Sequence, residues 1–441
     1  MASQLIAQLV IVVLFIFITI IFSIKKMDIG AYSLLIAFIA CIFTWFWESK
    51  VNNNPLEEIE FFGLINYRVI LYLIFVEIVI FALREQRIFQ WSSLQVIRLT
   101  KGNPRLFFYF MSIVSTILSG FMDDVSLAII IMPLVIRTCR VLEIEAKPFI
   151  IGISFSIILG NLLSPFATGT NIIIASAFNL NIAWFLTYFI TIFVIMEIGV
   201  LVLIDLLMVK KQSPPTERQR IILLEIMNPD LLISEKPKFI RYLIYFVIMI
   251  LGLIFSPAAY FVVLILSVFL CLVERTRHSL SDYFDDVDWK LMLFLLSIYL
   301  MIGCMELNGT ISMISNFIQH VTSNNVYLSI LIILGVSSII SSFISKSLMA
   351  ITFSSVLLLI FGDNPMGLEQ NLQIMALIIG VALGGNFIPP AATQFLKTLE
   401  IAEQNYVKGF TFRYFSKFTS IFSGASMILG LGYLSLIFLL F

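Results

Sequence analysis

Apolar runs recur along the whole chain, separated by short interruptions that carry charge, glycine or proline. Leu5 to Ile24, Ala31 to Trp47, Ile182 to Met208 and Phe418 to Phe441 are each long enough, as helices, to cross about 30 Å of hydrocarbon. The first run has neither a basic stretch before it nor a small-residue cleavage site after it, so it reads as a retained helix rather than a signal peptide. The stretches 106–118 and 125–136 are too short for full crossings. They predict either half-depth hairpins or turns facing water.

Composition sharpens this picture. Hydrophobic residues make up 60% of the 441 and charged residues only 12%, about half the share of an average soluble domain. The pattern predicts an all-α polytopic membrane protein of about ten transmembrane helices. Formal net charge is zero, which leaves no electrostatic case for a nucleic-acid partner. Cys41, Cys139, Cys271 and Cys304 stand singly, without metal or redox spacing. His278 and His320, both expected in loops, do not make a histidine-rich metal site. No cofactor and no certain metal ligand is expected, and no His-Glu-x-x-His motif or Ser-His-Asp set suggests an enzyme.

Loop charge sets topology. Arg84, Arg87, Arg98, Lys101 and Arg105 face a single acid, Glu85, and the segment from Lys210 to Arg241 is also basic, which places both in the cytoplasm. The acid-rich "ESKVNNNPLEEIEFF", the uncharged "NLN" at 179–181 and the stretch 307–325 belong outside. Both termini are then extracytoplasmic, in a multi-pass protein of the cell membrane.

An internal repeat supports that count. "NYRVILYLIFVEIVIFALREQRIF" (66–89) overlies "DWKLMLFLLSIYLMIGCMELNGTI" (288–311), and the same offset of 222 brings "SGFMDDVSLA" (119–128) onto "SSFISKSLMA" (341–350). Further on, "GNLLSPFAT" (160–168) matches "GNFIPPAAT" (385–393). Each half has an odd number of crossings, so the halves are expected to insert upside down relative to each other, an architecture of secondary transporters. The domains follow: a first inverted repeat over 1–211, with a re-entrant hairpin about 106–139 and a broken helix about 148–178. A cytoplasmic linker at 212–240 leads to a second repeat over 241–441, with a hairpin about 328–360 and a broken helix about 373–396.

Non-helical backbone at membrane depth is tolerated only inside protein or beside water, so the repeated interruptions mark a candidate site. Freed carbonyls suit a cation, whereas the helix N-termini that restart near Asn171 and Thr393 suit an anion; packing kinks are the plainer alternative. The candidate substrate- or ion-binding residues are Asp123, Asp124 and Ser126 on the first tip and Ser345, Lys346 and Ser347 on the second. From the breaks come Asn161, Thr168, Thr170, Asn171, Asn386 and Thr393. A charge at that depth is a functional candidate by default. Glu77 and Glu197 are weaker candidates, proton carriers or helix-packing groups, and Asp205 is close enough to Lys210 and Lys211 to be interfacial.

At these residues the chain resembles the ion transporter superfamily of arsenite permeases, NhaD-type sodium/proton antiporters and citrate or dicarboxylate transporters. The resemblance runs from about Asn66 to Ala177 and from Asp288 to the C-terminus, and is most specific in "ALREQRIFQW", "KGNPR", "SGFMDDVSLAIIIMPL" and "ALGGNFIPP". The family's first tip typically reads Asp-Asn-Val; here Asp123, Val125 and Ser126 match and Asp124 replaces the asparagine. Asn171 matches the end of the first broken-helix motif, and Gly384, Gly385 and Asn386 match the second. "ATGT" stands where Gly-Asp-Pro-Pro is common, and neither tip has the Ser-Asn-Thr of the dicarboxylate branch.

The resemblance implies a scaffold part and a mobile transport part, commonly as a homodimer, with tips and breaks forming the substrate and coupling-ion sites. The expected function is secondary active transport of a small inorganic or organic ion across the lipid bilayer: an anion or metalloid oxyacid, arsenite or citrate-permease-like, by alternating access. Sodium/proton antiport is the alternative. Lys346 is expected to stand as a fixed ammonium in place of a bound cation and to pair with Asp123 or Asp124. The coupling ion is then a proton exchanged at the aspartate pair, with sodium the other possibility.

Overall fold

In the computed structural model the described residues are 2–23, 28–50, 61, 63–227, 229–233, 235–256, 259–273, 280–285, 287–323, 325–343, 346–362, 366–387 and 392–440. They form, in order, α1 (Ala2–Ser23), α2 (Ile29–Lys50), α3 (Tyr67–Glu85), α4 (Ile88–Thr100), α5 (Pro104–Ser119), α6 (Asp124–Val141), α7 (Lys147–Gly160), α8 (Gly169–Ala177), α9 (Ile182–Ile204) and α10 (Glu217–Ile226). There follow α11 (Lys236–Phe255), α12 (Ala259–Val273), α13 (Leu280–Asp285), α14 (Trp289–Leu307), α15 (Thr310–Thr322), α16 (Val326–Ser341), α17 (Lys346–Phe361), α18 (Leu368–Gly384), α19 (Thr393–Gln404) and α20 (Phe412–Leu440). The protein is an all-α polytopic membrane protein.

Local backbone chemistry repeats between α3–α9 and α14–α20. Asn103, before Pro104, caps α5 by accepting from Arg105 N and Leu106 N, and Asn325 caps α16 from Leu328 N. Arg87 (φ 58°) and Gly309 (φ 78°) make the left-handed step into α4 and α15, and Lys101 and Ser323 (both φ 48°) make the step out. The second half thus uses glycine where the first strains an arginine. Each pair is 222 residues apart, so the two halves turn at the same points.

Packing is reciprocal between the halves. α2 lies on α14, and α12 lies on α3; α6 lies on α19, and α17 lies on α8. Within each half α5 packs on α7, and α16 on α18. A two-fold relation generates this exchange, because every contact then has a partner with the roles swapped.

Burial separates lipid-facing from central helices. On α9, Leu186, Ile190, Val194, Ile198 and Val202 point outward at four-residue intervals, and α11 exposes Ile240, Ile244, Val247 and Leu251. A soluble protein would hide such stripes. Every residue of α7 from Pro148 to Gly160 is buried, as are nearly all of α18 from Asn371 to Gly384. The two helices that end in non-helical backbone are therefore the central ones, where protein shields the freed peptide groups.

Two expectations change. His320 sits in the last turn of α15 rather than in a loop, and His278 lies outside the described residues. Asp205 is not an interfacial partner of Lys210 or Lys211: it is 1% exposed, held by Arg105 through both Nε and Nη2 and by Tyr109 Oη at 3.1 Å, where α9 widens into a π-helical turn over Asp205–Val209. The stretch between the halves folds onto the first: α10 starts with a Thr216–Gln219 capping box and buries Leu223.

Candidate functional site

Each half brings a tip and a break together. In the first, α5 and α7 meet at Gly160, where an added Cβ would lie 2.6 Å from Thr116 O and closer still to Ser119 Oγ. Only glycine permits that approach. α7 then ends, a single 3-10 turn covers Asn161–Leu163, and α8 restarts at Gly169 with the Thr168 hydroxyl accepting from Asn171 N at 3.2 Å. Asn171 Nδ2 donates to Asn161 O (2.7 Å) and Ser164 O (3.0 Å), which satisfies two carbonyls freed by the break. With its amide nitrogen turned toward the carbonyls, Asn161 donates to Ile157 O and to Ser119 O, tying the break to the tip helix.

On that tip, Asp123 caps α6: its Oδ2 accepts from Val125 N (3.1 Å) and Ser126 N (3.0 Å). Asp124 is the first residue of the helix. Asp123 is exposed, and it stands in the fields of Asp124 and Glu77. Glu77 also accepts from Asp288 N at 2.8 Å, at the N-terminus of α14.

The second half uses the same scaffold with different side chains. An added Cβ on Gly384 would meet Ser338 O and Ser341 Oγ at 2.5 Å, and Ser342 Oγ donates to Gly384 O at 2.8 Å. These are the contacts that Gly160 makes with Thr116 and Ser119, 222 positions earlier. Gly384, rather than Gly385, is thus the structural counterpart of Gly160, a shift of one residue from the alignment of "GNLLSPFAT" with "GNFIPPAAT". The restarts agree: Ala392, which provides no side-chain cap, takes the place of Thr168, and Thr393 is the exposed first residue of α19.

The extra glycine has a use. The stem of Lys346 lies across Gly385, whose Cβ would meet Lys346 Cε at 2.5 Å, and Nζ donates to Asn386 Oδ1 at 3.0 Å. Asn386 Nδ2 in turn donates to Ala382 O at 2.7 Å. Lys346 starts α17 and stands in the field of Asp124. Among the described residues its bonded acceptor is Asn386, and no ion pair joins it to Asp123 or Asp124.

The structure thus gathers Asp123, Asp124 and Ser126 on one tip, Lys346 and half-buried Ser347 on the other, and Asn161, Thr168 and Asn171 in the first break. Thr170 is buried on the first turn of α8, and Ser345 lies outside the described residues. Because α6 runs along α19 and α17 along α8, the tip helix of each half lies on the restart helix of the other. Sequence reading passed over Gln394, on the first turn of α19, whose side chain is 1% exposed and whose Oε1 has no partner among the described residues. Its position inside "AATQ" was the available signal.

Comparison with known proteins agrees with this architecture. A family model described as "Citrate transporter" matches residues 12–384. A "46 kDa membrane protein" of Mycobacterium leprae is 22% identical over 343 residues, 77% of this chain and 79% of that protein. An "Uncharacterized transporter" of Mycobacterium tuberculosis is 22% identical over 380 residues, 86% of this chain and 88% of its own length. Another from Synechocystis is 19% identical over 341 residues, covering 72% and 75%. With central helices that end in non-helical backbone in both halves, a tip capped by Asp123 and a family match over most of its length, this chain belongs to the citrate transporter family of membrane transporters.

Proposed function

We propose that this protein is a secondary active transporter of a small carboxylate anion of the citrate class, working by alternating access of two inverted halves in the cell membrane. The observation that carries the reading is Lys346: an ammonium laid over Gly385, bonded to Asn386 and set at the N-terminus of α17. A fixed cation beside a helix N-terminus presents donors and positive potential to a carboxylate. The carboxylates of Asp123 and Asp124, of which Asp124 acts on Lys346 through its field, take the coupling ion, a proton or sodium. A homodimer with extracytoplasmic termini completes the reading.

Sodium/proton antiport is the second reading, favoured by one observation: around the tips Asp123, Asp124 and Glu77 outnumber Lys346. The test is flux into proteoliposomes of labelled citrate, dicarboxylates, inorganic anions and arsenite, with sodium/proton exchange followed in parallel. Saturable citrate or related carboxylate uptake is expected. Sodium-dependent proton movement with no anion flux would replace this reading by antiport.

A further inference from the structure

Glu197 lies on α9, outside the tips and breaks, and is 6% exposed. Its Oε1 accepts from Ser156 Oγ at 2.6 Å and from Thr116 Oγ1 at 3.3 Å, whereas Oε2 has no partner among the described residues. Two neutral hydroxyls compensate an ionised carboxylate poorly in a buried site, and the neutral acid removes most of that cost.

The other half shows what the fold itself requires here. Ser338 is the counterpart of Thr116 by the offset of 222, and its Oγ faces Met427 Sδ at 2.9 Å on α20, the counterpart of α9. Gly380, on α18, stands where α7 has Ser156. The same three-helix packing is therefore achieved with a thioether and no carboxyl. The acid is specific to one half, so helix packing does not explain it.

Among the described residues no other ionisable group is bonded to Glu197. On its own helix Asp205 is taken by Arg105 and Tyr109 of α5, and Tyr188 Oη accepts from Asn371 of α18. Tyr433 of α20 donates to the Tyr188 carbonyl, and Lys147 of α7 pairs with Glu145. Thr116 and Ser156 are the side chains that reach the carboxyl, and both belong to the seam that holds the first tip and break. Thr116 lies one turn before Ser119 on α5, and Ser156 one turn before Gly160 on α7.

We propose that Glu197 is a proton-binding site of the transport cycle, separate from the substrate site. The proton resides on the carboxyl while the seam is closed, as here. It leaves to water when α5 and α7 shift against α9 and open the carboxyl to solvent, which hydrates the charged form; return of the seam takes up a proton from the other side. This rests on the transport reading above, with citrate as the probe.

Glu197→Gln and Glu197→Met are the tests, the second importing the residue that the other half already packs. Citrate/citrate counterflow without a pH gradient reads transport alone, and accumulation driven by a pH gradient reads coupling. One coupled proton supports about tenfold accumulation per pH unit. Both variants are expected to keep counterflow within about twofold and to lose that tenfold factor. Infrared spectra of the purified wild type are expected to show a protonated-carboxyl C=O band that changes with pH and is missing from both variants. Gradient-driven accumulation undiminished from the wild-type value, a band unchanged by pH, or loss of counterflow together with accumulation would overturn the proposal. Absence of citrate counterflow in the wild type would count against the transport reading instead, and the infrared titration would still decide the fate of Glu197.

Discussion

Adjacent glycines in the second break are expected to respond differently to the same added methyl group. In Gly384→Ala the new Cβ would lie 2.5 Å from Ser338 O and nearer still to Ser338 Cα, both backbone atoms of α16. Backbone cannot swing aside, so α16 and α18 must separate. Overpacking of this kind costs about 1–3 kcal/mol. In Gly385→Ala the new Cβ would meet Lys346 Cε, near the end of a flexible chain, at 2.5 Å. The lysine can leave its berth on Asn386, so stability changes little while the ammonium is displaced. Loss of one charge-assisted hydrogen bond to a substrate carboxylate, about 1.5–3 kcal/mol, raises KM about ten- to a hundredfold. Thermal unfolding in detergent and citrate uptake kinetics measure the two effects. A Gly385→Ala protein whose KM stays within about twofold of wild type, or which is destabilised as much as Gly384→Ala, would refute the assignment of Gly385 as the bed of Lys346.

Further outcomes follow from the same geometry. Asn171→Ala strands Asn161 O and Ser164 O, at about 1–3 kcal/mol for each buried carbonyl; thermal unfolding should show the loss, and uptake should fall with it. Arg105→Ala leaves buried Asp205 with Tyr109 as its remaining partner and is expected to lower the unfolding temperature, most of the loss recovered in the Arg105→Ala/Asp205→Asn double variant. Cys41 and Cys304, with Sγ atoms 3.7 Å apart across α2 and α14, should cross-link under a membrane-permeant oxidant. After proteolysis in the 212–216 stretch, the two halves would then stay joined, which tests the reciprocal packing of the fold.

What the sequence made legible was chiefly local. Apolar runs, asparagine caps and the interruptions at "NLLSPFATGTN" and "GGNFIPPAATQ" each reflect the needs of one helix or turn. What it hid depends on which surfaces meet. Asp205 seemed to belong with lysines five residues away, but its partner is Arg105, a hundred residues earlier. Glu197 looked like one acid in an apolar helix until Ser156 and Thr116, 41 and 81 residues away, were seen to converge on it. The alignment paired Gly160 with Gly385 because an asparagine follows each. Contact geometry pairs it with Gly384, since the asparagine cannot report which glycine touches the neighbouring helix. The contrast between Asp124 and Lys346 at the same position of the repeat was visible from the start; the glycine bed that accommodates the longer side chain was not.

The central claim is that Lys346 receives a substrate carboxylate. Citrate counterflow in proteoliposomes containing Lys346→Met, compared with wild type at matched protein density, tests it most directly. Saturable counterflow is expected in the wild type, with an apparent affinity lowered about tenfold or more in the variant. Equal affinity in the two proteins would contradict it.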